Sequence, residues 1–138
     1  MVSEENKARF RRIVDDVFSQ GKVDLIGELI DPNWIDHDPV PGHESEGTKR
    51  VVTKFRDAFP DLTLNIDLLM ADRDLVCGRL TTTGTHKGEF MGIPPTNKRF
   101  TMTEVHIVRF ADGKAVEHWG NSDQLGKMRQ LGVIPEVG

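Results

Sequence analysis

A chain of 138 residues is of the size of one domain and long enough to bury about two thirds of its unfolded surface without a disulfide or a structural metal. The hydrophobic share of 37% and charged share of 29% are those of an ordinary globular protein, and a net charge of -4 with no run of lysine and arginine excludes a nucleic-acid surface. Cys77 is the only cysteine, so no internal disulfide can form; with no secretory signal and no apolar stretch of spanning length, the chain reads as cytoplasmic, with no membrane partner.

Taken in chain order, Ser3 opens a first helix in which Phe10, Ile13, Val14, Val17 and Phe18 recur at helical spacing up to Gly21. A shorter helix runs from Lys22 to Ile30 and stops at Asp31 and Pro32. Trp34 to Pro41 is a short strand or loop that carries Asp36, His37 and Asp38, and a third helix from Glu46 to Ala58 turns Val51, Val52 and Phe55 inward. After Pro60 the period becomes alternating: Leu62, Leu64, Ile66 and Leu68 face one way and Thr63, Asn65 and Asp67 the other. Asp72 to Asp74 is a turn, and Leu75 to His86 is a threonine-rich strand in which Cys77 reads as a small buried hydrophobe. The segment GIPPTNK, Gly92 to Lys98, reads as a rigid turn at a pocket rim, with Phe90 and Met91 before it as an apolar lid. His86 orders that connection, and His43 is solvent-exposed. A hairpin of two strands follows, and Asp123 caps a closing helix that ends at Leu131, before Gly132 and Pro135. Helices first and antiparallel strands second is an α+β order, with helices on one face of a curved sheet.

The hairpin carries the chemistry. Phe100, Met102, Glu104, His106, Val108 and Phe110 share one strand face. A three-residue loop, Ala111 to Gly113, preferred because it sets apolar Val108 against apolar Val116, pairs His106 with His118 and Glu104 with Gly120, whereas a two-residue Asp-Gly turn would set His106 opposite Trp119. That register puts Glu104, His106 and His118 on one face; a slip of one residue would reverse every facing assignment on the second strand. Polar groups gathered on an inner face mark a pocket rather than a solid core. Asp36 and His37 at its mouth, Met102 on its wall and Arg79, as a counter-ion to Glu104 or an outward charge, complete the candidate binding residues. Neither a His-Glu-x-x-His pattern nor paired cysteines appears, so no metal is expected.

The segments FRDAFPDL (Phe55 to Leu62), TGTHKGEFMGIPPTNK (Thr83 to Lys98), the DGK and EHW of the hairpin, and DQLGKMRQLG (Asp123 to Gly132) resemble the SnoaL-like polyketide cyclases, or ester cyclases, of the NTF2-like cone fold. The resemblance runs over nearly the whole chain, read as one domain of residues 1–138. It implies an intramolecular aldol condensation that closes the last ring of a polyaromatic ester, without metal or cofactor. An aspartate serves as base and acid there, helped by a histidine and by a polar residue two positions before it. The polar residue and histidine map to Glu104 and His106, but the aspartate maps to Gly120, which offers no lone pair. His118 is the nearest substitute base, and Asp36, His37 and Asp38 at the pocket mouth are further candidates, since an Asp can orient a His and raise its basicity.

Three functions remain open at this point: a cofactor-independent cyclase working on a hydrophobic carbonyl substrate, a small-molecule binding protein whose chemistry went with the aspartate, and a dimeric module with a filled interior. The chain has no tyrosine, which removes isomerase and dehydratase chemistries of this fold that use tyrosine donors; an epoxide hydrolase relay of Asp, Arg and Asp has Arg79 but no two aspartates that the sequence places beside it, and stays open as a weaker reading. The resemblance also implies a homodimer through the outer sheet face, where Val105, Ile107 and Trp119 lie beside Arg109 and Glu117.

Overall fold

The computed structural model describes residues 2–40 and 47–134. A first helix, α1 (Val2–Arg12), continues without a break into more widely wound π-helical turns at Ile13–Ser19. After a 3-10 turn at Val23–Leu25 come α2 (Ile26–Leu29) and β1 (Ile30–Asp36), then α3 (Thr48–Ala58). Four strands follow, β2 (Thr63–Asp72), β3 (Leu75–Thr85), β4 (Arg99–Ala111) and β5 (Lys114–Ser122), and α4 (Gln124–Gln130) closes the order. The second helix is thus shorter than the apolar period suggested. Ile30 to Asp36 extend because Pro32 disfavours helix in the residue before it. His43 and the proposed boundaries at Pro41, Glu46 and Pro135 lie outside the described residues.

The strands form one sheet in the order β1-β5-β4-β3-β2. β2 to β5 are antiparallel neighbours as expected, but β1 pairs with β5 in parallel, so the sheet is mixed rather than antiparallel throughout. The helices pack against one face. Phe10, Val14 and Val17 of the first helix meet Val76 and Leu80 of β3 and Val108 and Phe110 of β4 in one core, while Phe59, Leu62, Phe90, Phe100, Met102 and Leu131 form a second at the other end of the sheet.

Two irregularities change facings within β2 and β3. The ladder slips between Ile66 and Leu68, so the bulged Asp67 sends Leu68 and Met70 outward and brings Leu69 and Ala71 in. Leu68, expected inward by alternation, is therefore exposed. Cys77 pairs with Met70 and Ile107 on the outer face and is only half-buried, not a core residue, because its neighbours Val76 and Gly78 take the inner positions.

Gly78 shows how tightly the first helix is seated. A Cβ there would stand 2.5 Å from Cε1 and 2.6 Å from Cζ of the buried Phe10 ring. Gly78→Ala should lower stability by about 1–3 kcal/mol through overpacking, read as a lower urea midpoint at unchanged slope.

Candidate functional site

Between the inner sheet face and the helices lies a cavity of about 700 Å³. Its walls are largely apolar, from Phe10 and Phe18 on the first helix to Val51 and Phe55 on α3, with Met102 on β4, and its polar groups gather where β1, β5 and β4 run side by side. This is the proportion expected of a small-molecule site.

The polar groups form one line. Strand pairing sets Asp36 beside His118 across the parallel β1–β5 ladder, so both side chains share a face. Asp36 Oδ1 lies 2.7 Å from His118 Nδ1, His118 Nε2 lies 2.8 Å from His106 Nδ1, and His106 Nε2 lies 3.0 Å from Glu104 Oε1. The other Glu104 oxygen accepts the hydroxyl of buried Thr82. The two imidazoles are stacked, with centroids 5.1 Å apart.

Counting protons gives the relay its character. Ionised carboxylates only accept, so each histidine turns its outer N–H toward Asp36 or Glu104. If both rings are neutral, the two inner nitrogens then face each other with bare lone pairs. One added proton between them completes all three bonds. The arrangement is a base when the central proton is absent and an acid when it is present.

The carboxylates are suited to this. Burial alone would push the Glu104 carboxyl up, but hydrogen bonds from His106 and Thr82 and the nearby charges of His106 and Lys127 hold it below its ordinary value. Asp36 behaves alike: burial raises it, and the His118 bond and charge, with the Asp38 backbone N–H, prevail and lower it. Both ends of the relay are therefore anionic at neutral pH.

Gly120 makes the line possible. It stands opposite His106 in the β4–β5 ladder, and its backbone N–H donates to Asp38 Oδ2 at 2.9 Å. A Cβ at this position would lie 2.6 Å from His106 Nδ1 and 3.0 Å from His118 Nε2, too close to both ends of the bond between the rings. The imidazole pair thus occupies space that a side chain at position 120 would need.

Of the candidate residues, Glu104, His106, His118, Asp36, Met102 and Gly120 all line the cavity. The expected register does not hold: His106 pairs with Gly120 and Val108 with His118, not His106 with His118. The structure places the other candidates as follows. Of its two readings Arg79 takes the outward charge: it lies on the outer face and binds Asp67 at 2.9 Å, and Glu104 has Thr82 and His106 as partners. His37, one residue on from Asp36, faces the other side of β1; it pairs with Glu117 at 2.7 Å and stacks on Trp119. Phe90 is a core residue against Phe55 and Phe59. Met91 is exposed at a tight turn with Gly92, both at positive φ, where Phe90 and Ile93 bridge. The GIPPTNK turn contributes no cavity wall; the connection before it is tied to the end of α3, with Lys87 and Gly88 donating to the Ala58 carbonyl. Buried His86 does order this connection, bonded through its backbone to Lys98 and Asn97 and through Nδ1 to Thr96.

Lys127 is the lining residue that sequence reasoning missed. It is 3% exposed, with its ammonium among four phenylalanine rings. Its spacing of four from Leu131 was the available signal, since that places both on one face of α4. Among the described residues, no three His, Cys, Asp or Glu side chains converge to hold a metal ion, and no helix is long and apolar enough to cross a membrane.

A helix-backed sheet around an apolar cavity, with imidazole and carboxylate groups on one inner wall, agrees with comparison to known proteins. Residues 8–131 match the family described as SnoaL-like polyketide cyclase, and the chain belongs to that family. It is 31% identical over 129 residues to the aklanonic acid methyl ester cyclase DnrD of Streptomyces peucetius, covering 88% of this chain and 87% of that one. The nogalonic acid methyl ester cyclase of Streptomyces nogalater is 30% identical over 119 residues, with 83% and 89% covered. Among solved structures, AclR of Streptomyces galilaeus, a suggested hydroxylase, superposes with a TM-score of 0.83 at 32% identity over 99% of this chain and 86% of its own.

Proposed function

We propose that this chain is a cofactor-independent cyclase that closes a ring by intramolecular aldol-type addition in a hydrophobic polyketide-like ester, with the His106–His118 pair as base and acid. The observation that carries this reading is the continuous line Asp36, His118, His106, Glu104 on the wall of an apolar cavity. The inner nitrogens take a proton from the carbon between two carbonyls; the resulting enolate carbon adds to a ketone within the same molecule; the alkoxide so formed recovers the proton. No proton or electron is gained or lost overall. Asp36 and Glu104 hold the rings in the right tautomers and stabilise the extra charge while the proton is on the pair.

Ring closure of aklanonic acid methyl ester, the compound in the name of the relative DnrD, followed by absorbance, tests it. His118→Ala should lower turnover by about tenfold to a hundredfold, because His106 and Glu104 remain in place. Undiminished turnover in that variant would overturn the assignment.

One observation favours a second reading, a binding protein for the same class of ligand. All four ring nitrogens already have partners, and Gly120 stands where the resemblance calls for an aspartate. Binding of the ester, seen as quenching of Trp34 fluorescence at the cavity wall, with no turnover would decide for it.

The outer sheet face supports a homodimer. Ile35, Leu68, Met70, Val105 and Ile107 are all exposed there, with Arg79 and Glu117 between them, apolar surface of the kind covered by a second copy. Ile107→Glu should shift sedimentation toward the monomer.

A further inference from the structure

The relay leaves one buried ionisable group of the cavity unused. α4 packs on β4 and carries Lys127 inward, to the end of the cavity lined by Phe55, Phe59 and Phe100. The Lys127 Nζ lies 4.4 Å from the ring centroid of Phe90, 5.4 Å from Phe100, 5.5 Å from Phe59 and 6.0 Å from Phe55. Among the described residues no hydrogen bond or ion pair reaches it. A lysine is rarely buried without a paired charge, and a Met or Leu would fill this place without desolvating an ammonium.

We propose that Lys127 is a nucleophilic amine that condenses with a ketone or 1,3-dicarbonyl group of the ligand in this cavity to form a Schiff base. The nitrogen lone pair adds to the carbonyl carbon and a C–N bond forms. The nitrogen gives up two hydrogens and the carbonyl oxygen departs with them as water, leaving C=N, so no oxidant or reductant is required and hydrolysis reverses the step. From a 1,3-dicarbonyl the imine passes to a conjugated enaminone by moving one proton from carbon to nitrogen.

The surroundings favour a neutral amine. Burial among the rings lowers the Lys127 ammonium from its ordinary 10.5 to about 8, against the opposing charge of Glu104 on β4. His86, in contact with Phe59, is lowered by burial and, against a raising backbone hydrogen bond at Gly88, by the Lys127 charge, so it offers no opposing charge to the ammonium. Desolvation in an apolar pocket is a general means of activating a lysine toward carbonyls. The inference needs the cavity but not the ring-closure reading.

The test uses the full-length protein with acetylacetone as the 1,3-dicarbonyl probe at neutral pH. A near-ultraviolet enaminone band should appear, with a mass gain of one diketone less one water, and peptide mapping should place it on Lys127. It should form at least about tenfold faster than on the surface lysines. Lys127→Met, whose side chain suits the aromatic surroundings, and Lys127→Arg, which keeps the charge but cannot condense, should both lack the adduct while circular dichroism reports an intact fold. No adduct on the folded wild type, or one spread over surface lysines and unchanged in Lys127→Met, overturns the proposal. Cyclisation measured in parallel separates the two readings: an adduct without ring closure retains Lys127 as the nucleophile and removes the cyclase, and ring closure without an adduct does the reverse.

Discussion

Aspartate introduced at Gly120 is expected to abolish ring closure rather than strengthen it, and His118→Ala made in the same chain is expected to bring activity back. The resemblance to the ester cyclases makes the aspartate look like a repair. The geometry makes it an intrusion, because even its Cβ would stand 2.6 Å from His106 Nδ1 and 3.0 Å from His118 Nε2. At least one of the imidazoles must shift, and the bond between them is broken with it. A hydrogen bond to a charged group contributes about 1.5–3 kcal/mol, and losing the positioned base costs about 10²–10⁴ in rate, so Gly120→Asp should retain about a hundredth of turnover or less. Removing the His118 side chain vacates the space that the carboxylate needs beside His106, while Glu104 still orients that ring at 3.0 Å. The double variant should therefore exceed both single variants in turnover. If Gly120→Asp alone is more active than the parent, the relay is not the base and the site is a cyclase pocket that had lost its aspartate.

The same geometry explains why the facing of the site residues was legible although their register was not. The hairpin turns on two residues, Asp112 and Gly113, both at positive φ, and not on three, so Ala111 pairs with Lys114. That alone would shift the second strand by one and face His118 outward. Between Arg109 and Phe110 the ladder slips again, leaving Val116 as the extra residue, and the two shifts add to an even number. Alternation has period two, so His118 returns to the face of Glu104 and His106. At Asp67 a single bulge has no such compensation, and Leu68 ends on the wrong side.

Long-range pairing was the other hidden quantity. Asp36 could be suspected of orienting a histidine from its residue type, but its partner is fixed by a parallel β1–β5 contact between strands about eighty positions apart in the chain. No local period encodes that contact. It also decides which neighbour is functional: on a strand, Asp36 facing the cavity obliges His37 to face away, and His37 stacks on Trp119 at the outer side. Arg79 and Cys77 are outward for the same reason, each adjacent to an inward residue of β3.

Lys127→Met should raise stability at neutral pH and flatten its dependence on alkali. In the unfolded chain the amine keeps its proton up to about 10.5, whereas in the folded chain it gives it up near 8. Between these values the unfolded state binds more protons, so stability of the parent rises with pH across that window. Below about 8 the whole penalty is present; at 1.36 kcal/mol per pH unit it amounts to about 3 kcal/mol. Attraction between the ammonium and the four phenylalanine faces returns about 1–2 kcal/mol of it, leaving a net gain for methionine of about 1–2 kcal/mol. Chemical denaturation at pH 7 and at pH 10 measures both effects: the variant should be the more stable at pH 7, and the difference should shrink at pH 10. A variant less stable than its parent at pH 7 would mean that the ring contacts outweigh desolvation, and Lys127 would then belong to the core as a structural cation. A variant more stable yet unable to take the diketone would show stability given up for a reactive amine, which is the balance expected where an unpaired charge is kept inside a fold for its chemistry.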